Sequence, residues 1–193
     1  MQKLMEVKST NRKLLMDARE VDEALESIAS QIDNRHPAPE PLVLVGIQTG
    51  GAALAKRLAA AIQRTSGREV PVGLLDIAMH RDDLSRRLAP PIHPTSIPCD
   101  VEGKTVVLVD DVLFSGRTGR AALDALTDLG RPRLVELAVL IDRGHRELPI
   151  HADYIGRRVE TRPSERVEAL VEEDGLAVYL CKDNGSAPAA PQT

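Results

Sequence analysis

Residues 106–118 read Val-Val-Leu-Val-Asp-Asp-Val-Leu-Phe-Ser-Gly-Arg-Thr. The four apolar residues Val106 to Val109 form a short run of high β propensity with no helical period. Two adjacent carboxylates, Asp110 and Asp111, follow it. The chain then runs through Val112, Leu113 and Phe114 into a turn at Ser115, Gly116, Arg117 and Thr118. Ala121, Ala122, Leu123, Ala125, Leu126 and Leu129 recur at helical spacing until Gly130, which predicts a helix over 118–129. A buried strand over 105–109 therefore delivers two acids to its carboxyl end, and a small-residue loop opens a helix. In an open α/β sheet that edge is where ligands bind. Backbone N–H groups of the loop and the helix N-terminus favour a phosphate, and the hydroxyls of Ser115 and Thr118 add donors. Carboxylates repel phosphate. Asp110 and Asp111 suit ribose hydroxyls, or a Mg²⁺ held between ribose and pyrophosphate. The plainer alternative is a strand, turn and helix whose acids only cap the helix. The ordered run of apolar strand, acid pair, small-residue loop and helix favours the ligand site.

Outward from this stretch the elements alternate. Asp17 and Glu20 form a D-x-x-E capping box, and Val21, Leu25, Ile28, Ala29 and Ile32 make the apolar stripe of a first helix. His36-Pro-Ala-Pro-Glu-Pro41 ends it. Leu42 to Val45 reads as a buried strand, closed by Gly46-Ile-Gln-Thr-Gly-Gly51, and Ala52 to Arg64 as an Ala-rich helix. Val70 to Ile77 and Leu134 to Ile141 read as further strands. Tyr154-Ile155-Gly156 and the mixed runs 165–172 and 176–181 close the fold. Strands alternating with helices predict a doubly wound, mostly parallel α/β sheet. Residues 1–183 form one domain by this reading, and 184–193 have the composition of a disordered tail.

Composition sets the outer limits. The 193 residues are enough for a substantial core, and 42% are hydrophobic. No apolar segment marks a signal peptide or a membrane span, which predicts a cytoplasmic protein without a membrane partner. Cys99 and Cys181 lack metal-like spacing and read as reduced thiols. Twenty-five basic residues against 29 acidic ones leave a net charge of −4, so gripping nucleic acid is not favoured as the main task. Phe114, Tyr154 and Tyr179 are the only aromatics, too few for a base-stacking platform.

Three further loops belong to the argument. In Gly46–Gly51, Thr49, Gly50 and Gly51 let backbone approach an anion closely, although a plain structural turn explains the stretch as well. Paired with 110–118, one loop can take a 5′-phosphate and the other a pyrophosphate. Residues 78–98 are long enough for a lid, with Arg81, Asp82 and Asp83 at its tip, or for a merely solvated charged loop. A lid excludes water from a reactive ribosyl centre. The stretch Ile141 to Gly156 leaves a strand on the same edge, where it can cover a bound base. Arg143, His145 and Arg146 can equally be structural or interfacial.

The acid pair and its loop resemble the ribose-phosphate loop of type I phosphoribosyltransferases, which use 5-phosphoribosyl-1-diphosphate (PRPP). Four stretches narrow the resemblance: Asp-Ile-x-x-x-Arg-Asp-Asp-Leu at 76–84, Val-Asp-Asp-Val-Leu at 109–113, Gly-Arg-Pro at 130–132, and Ala-Val-Leu-Ile-Asp-Arg-Gly-His-Arg-Glu-Leu-Pro-Ile at 138–150. Over roughly residues 20–182 the chain resembles the PyrR family, pyrimidine operon regulators that are also uracil phosphoribosyltransferases. The resemblance implies the type I phosphoribosyltransferase fold, with a small hood at about 142–165 and a flexible lid. It implies UMP and diphosphate made from uracil and PRPP with Mg²⁺, a homodimer or higher oligomer, UMP and UTP as ligands, and binding of pyrimidine leader mRNA.

On that basis Asp110, Asp111 and Arg81 are expected to be catalytic. Thr49, Gly50, Gly51 and the run Asp110, Asp111, Val112, Leu113, Phe114, Ser115, Gly116, Arg117, Thr118 are expected to bind PRPP and UMP. Ile141, Asp142 and Arg143 are expected at the base. Asp110 and Asp111 would hold Mg²⁺ through PRPP and water. Arg157, Arg158, Arg162 and Arg166 form a basic cluster for RNA, or a solvated face. Three departures stand out. The pyrophosphate loop commonly reads Thr-Arg-Gly, and here it is Thr49-Gly50-Gly51. His80 stands where the lid commonly carries tyrosine. The first helix bears Asp22, Glu23 and Glu26 where RNA-binding members carry basic, threonine and histidine residues, and acids repel RNA phosphates. The alternative function is a nucleotide-sensing RNA-binding attenuator or regulator with weak or no catalysis; Gly50 motivates the loss of turnover, and the acidic first helix speaks against the RNA half.

Overall fold

The computed structural model describes residues 12–82 and 93–182. The tail expected at 184–193 and the centre of the expected lid lie outside these residues. The elements run β1 (Arg12–Met16), α1 (Ala18–Arg35), β2 (Leu42–Ile47), α2 (Gly50–Ser66), β3 (Val72–Leu75), a 3₁₀ turn (Ala78–His80), β4 (Thr105–Leu113), α3 (Arg117–Thr127), β5 (Leu134–Asp142), β6 (Tyr154–Arg158), β7 (Glu165–Glu172) and β8 (Gly175–Lys182).

Five strands form a parallel sheet in the order β3-β2-β4-β5-β6. Its two faces alternate residue by residue along each central strand, as the strand period requires. Leu42, Leu44, Val107, Val109 and Leu140 face α1 and α2. Val43, Val45, Val106, Leu108 and Val139 face α3 through Ala121, Ala122, Ala125 and Leu126. Both faces are covered, so β2 is buried along its whole length. The doubly wound expectation is met. α1 begins as its sequence predicts: the Asp17 side chain accepts from Glu20 N at 2.8 Å, and Glu20 reaches back to Asp17 N at 3.0 Å.

The small second sheet differs from the expected hood. It is antiparallel, ordered β1-β8-β7, and joins residues 12–16 to 165–182. Of the segment expected as hood, 154–158 is instead the edge strand of the main sheet. The first strand escaped the sequence reading because Arg-Lys-Leu-Leu-Met is too short and mixed to show alternation; β8 supplies its pairing and Met16 anchors it in the core. Strand β4 also runs beyond its expected end, through both acids to Leu113, because β5 continues to pair with it as far as Asp142. Strand β3 is shorter than expected. The Asp76 carboxylate accepts from Ala78 N at 2.6 Å and also from His93 N, turning the chain at the root of the expected lid. Among the described residues no helix is long and apolar enough to cross a membrane.

At the far end of the sheet from the candidate site lies a buried polar cluster. Glu136 Oε2 meets His36 Nε2 at 2.7 Å and accepts from the Tyr154 hydroxyl at 2.7 Å. Arg35 Nε lies 2.9 Å from Oε1 as an ion pair, without the alignment of a hydrogen bond. Burial and the neighbouring Glu136 push the Tyr154 hydroxyl well above its ordinary value, so it serves as a donor throughout the working pH range. This cluster ties the end of α1 to β5 and β6. Glu136→Gln is expected to cost about 1–3 kcal/mol, because an amide nitrogen replaces one of the two oxygens that face Arg35 and the Tyr154 hydroxyl. Denaturant unfolding checks this. An unchanged midpoint would mean that the carboxylate is dispensable.

Candidate active site

Strands β2 and β4 are parallel neighbours, with Gly46 level with Val109. The short loops that leave them, 48–49 and 114–116, therefore emerge side by side at one carboxyl edge. The packing is closer than side chains permit. A Cβ on Gly51 would lie 1.9 Å from the Val109 carbonyl oxygen, and one on Gly46 would lie 2.6 Å from the Gly51 carbonyl oxygen. Three backbones meet there. A Cβ on Gly50 would lie 2.3 Å from Asp111 Oδ2, so the Asp111 carboxylate rests against the first turn of α2. The two sequence motifs thus form one site. Neither α2 nor α3 has an acid in its own first turn, which leaves both N-termini receptive to anions.

The two acids occupy different environments. Asp110 is buried, and its Oδ1 accepts from Asp111 N at 3.0 Å. Asp111 is half-buried, and its Oδ1 accepts from Val112 N at 2.8 Å. Burial pushes the Asp110 carboxyl well above the usual carboxylate range, the neighbouring Asp111 adds to this, and the charge of Arg81 works against it. Arg81, the expected lid residue, thus lies within electrostatic reach of the acid pair.

A stability consequence follows from the direction of this shift. An acid whose pKa rises on folding favours the folded state only while protonated. Its contribution is lost as pH climbs from the unfolded value towards the folded one. Asp110→Asn cannot ionise, and its amide oxygen can still accept from Asp111 N. The variant is expected to gain stability over the wild type as pH rises from about 4 to about 8. Thermal melts across that range check this. A gap that shrinks as pH rises would contradict the burial argument.

The expected phosphate loop is built on Gly116, whose φ of +90° is open to glycine and strained for other residues. Ser115 Oγ accepts from Arg117 N at 3.4 Å, and α3 begins at Arg117. Leu113 is buried, while Val112, Phe114 and Thr118 are half-buried at the rim. The Arg117 side chain is engaged by two acids outside the loop. It donates to Glu147 Oε2 through Nε at 2.8 Å and also pairs with Asp82. On the other loop, Thr49 is exposed, Gly50 is half-buried and Gly51 is buried.

The expected base residues separate. Ile141 has 0% exposure and belongs to the apolar core, so its side chain meets no ligand. Asp142 is half-buried at the strand end. Arg143 is buried, stacks 4.2 Å from the Phe114 ring centroid, and donates to Thr161 Oγ1 and to the Arg162 carbonyl at 3.1 and 3.0 Å. The stacking of Arg143 on the single phenylalanine is a contact that sequence spacing did not reveal.

Two of the four arginines of the expected RNA cluster pair with acids of the chain. Arg157 donates to Glu20 Oε1 at 2.8 Å and to the Leu15 carbonyl at 2.7 Å. Arg166 pairs with Glu168. Arg158 lies level with Asp142 on the sheet edge, and Arg162 is exposed. The acidic face of α1 is also partly neutralised, since Asp22 pairs with Arg57 and Glu26 with Arg64 across to α2.

The phosphoribosyl transferase domain family matches residues 13–169. The chain is 56% identical over 168 residues to the bifunctional protein PyrR of Chloroflexus aurantiacus, covering 86% of this chain and 92% of that one. It is 51% identical over 181 residues to the bifunctional protein PyrR of Streptomyces coelicolor, covering 92% and 91%. A hypoxanthine-guanine phosphoribosyltransferase from Bacillus anthracis superposes with a TM-score of 0.66 at 19% identity, over 87% of this chain and 98% of that one. That likeness speaks for the fold.

Proposed function

The chain belongs to the phosphoribosyl transferase domain family and, within it, to the PyrR proteins, pyrimidine operon regulators with uracil phosphoribosyltransferase activity; from that premise we propose that it makes UMP and diphosphate from uracil and PRPP. The observation that carries the reading is that α2 begins against Asp111 while the short loop leaving the same strand opens α3, so two small-residue helix starts share one sheet edge with the acid pair. PRPP carries a 5′-phosphate and a 1-diphosphate on one ribose, and two neighbouring anion sites are the arrangement it requires.

In the reaction the anomeric carbon of PRPP loses diphosphate and becomes oxocarbenium-like before uracil adds. Ser115 to Thr118 hold the 5′-phosphate, and that remote binding energy positions the ribose. Gly50 and Gly51 present backbone N–H groups to the diphosphate. Asp111 orients the ribose hydroxyls and stabilises developing positive charge, and the buried Asp110 beside it accepts from Asp111 N and holds the strand end in place. Arg81 offsets the charge of the acid pair and is the lid residue assigned to the leaving diphosphate. Asp142 and Arg143 border the base, Arg143 through its stack on Phe114.

The donor set fits Mg²⁺ in part. Among the described residues no cluster of three or more His, Cys, Asp or Glu forms a metal cage. Asp110 and Asp111 would supply at most two hard oxygens, and PRPP and water the others, as Mg²⁺ prefers. When bound, the ion neutralises charge on the leaving diphosphate.

The deciding assay is formation of UMP from labelled uracil and PRPP with Mg²⁺, beside hypoxanthine and orotate as competing bases. Turnover with uracil alone supports the reading. Turnover only with another base would replace it. A second reading, a nucleotide sensor with little turnover, is carried by Gly50, which removes an arginine donor from the diphosphate loop. UMP binding without product would mark it. The regulatory half of the reading is binding of pyrimidine leader mRNA by a homodimer or larger oligomer. It is tested by a salt-dependent gel shift with UMP present.

A further inference from the structure

Arg146 carries more bonds than any role in covering a base requires. Its Nε donates to the Ile150 carbonyl at 3.0 Å. Its Nη1 faces the carbonyls of Phe114 at 2.8 Å, Gly144 at 3.1 Å and Leu113 at 3.4 Å. Its Nη2 lies 2.6 Å from Asp142 Oδ1. These acceptors belong to three pieces of chain: the end of β4, the end of β5, and the loop after β5. A planar fork of five N–H donors can serve them together, and a lysine cannot.

The backbone repeats the same tie. Arg143 N donates to the Leu113 carbonyl at 3.1 Å. Glu147 N and Leu148 N both donate to the Ser115 carbonyl, at 3.0 and 3.1 Å. A Cβ on Gly116 would meet Ile150 at 3.0 Å, so the loop after β5 lies directly on the phosphate loop. Burial works to raise the Asp142 carboxyl, yet bonds from Arg146 and Gly144 N, with the charges of Arg146 and Arg158, hold it below the usual range. The Arg146–Asp142 pair is therefore charge-assisted.

We propose that Arg146 is a positioning residue for PRPP: it locks Leu113 and Phe114, and through them the Ser115–Thr118 cradle, to the loop after β5. This rests on the reading that the cradle takes the 5′-phosphate. Arg146 touches no reacting atom. Its removal loosens the cradle and leaves the acid pair in place, so the loss falls on PRPP capture.

The test compares wild type with Arg146→Gln and Arg146→Lys by steady-state kinetics, amide hydrogen exchange and thermal melting. The expected result is a KM for PRPP raised about ten- to a hundredfold, with kcat changed less than about threefold. Exchange at 113–118 should quicken about tenfold while the β7–β8 ladder keeps its protection. The lysine variant retains positive charge beside Asp142 and serves if the glutamine variant does not fold. An unchanged KM, or exchange that quickens evenly over the whole chain, would overturn the proposal. If the wild type makes no UMP, the functional reading fails on its own, and local against uniform exchange at 113–118 still decides whether Arg146 holds the cradle.

Discussion

Gly51→Ala is expected to lower the melting temperature by roughly 10 °C and to abolish turnover. The added methyl would lie 1.9 Å from the Val109 carbonyl oxygen, 2.8 Å from the Val109 carbonyl carbon and 3.1 Å from the Asp110 Cα. All three are backbone atoms of β4, so no rotamer change relieves the clash. Either the first turn of α2 lifts from the sheet or the end of β4 bends away. Overpacking of this kind costs about 3 kcal/mol, and more where only backbone can yield. Both movements also separate Gly50 from Asp111 and so open the site. Circular dichroism melts and the UMP assay check the two halves of this result. A variant that melts like the wild type would mean that the strand and helix are less closely packed than the structure places them.

Asp111→Asn should separate activity from stability. The variant is expected to lose about 10²–10³-fold in kcat/KM while its stability changes by less than about 1 kcal/mol. An asparagine oxygen can still accept the 2.8 Å bond from Val112 N, so the end of β4 keeps its shape. The lost charge beside the first turn of α2 is mildly destabilising, and relief of repulsion with Asp110 offsets it. The carboxylate's attraction for positive charge at the ribose has no substitute. Kinetics beside thermal melts check this. Losses of activity and melting temperature in proportion would sink the assignment of Asp111 to the chemistry.

Much of the site was legible because its signals are local. Asp110, Asp111 and the Ser115–Thr118 turn lie within one strand–loop–helix unit, and apolar periodicity locates that unit without knowledge of any distant contact. The capping box at Asp17 and the stripe of α1 were readable for the same reason. Other features depend on partners far away in the chain. β1 is a strand because β8, more than 150 residues later, pairs with it. Ile141 was expected at the base but is buried, since the depth at which β5 ends is set by its neighbours and not by its own residues. Arg157 and Arg166 looked like an RNA face, and Glu20 and Glu168 engage them. Glu136 carries a signal of its own: a carboxylate within an otherwise apolar strand must find partners when buried, and it does so in His36 and Tyr154.

Residue order alone established the alternating sheet, the acid pair at a strand's end and two small-residue loops suited to anions. These follow from backbone propensity and side-chain period, which act over a few neighbours. Whether the two loops form one site was settled by tertiary contact. Parallel pairing of β2 with β4 brings their exits together, and Gly46, Gly50 and Gly51 let them touch. The different environments of Asp110 and Asp111 have the same origin. Two identical side chains in succession look alike in the sequence, and the surrounding chain decides which one is buried.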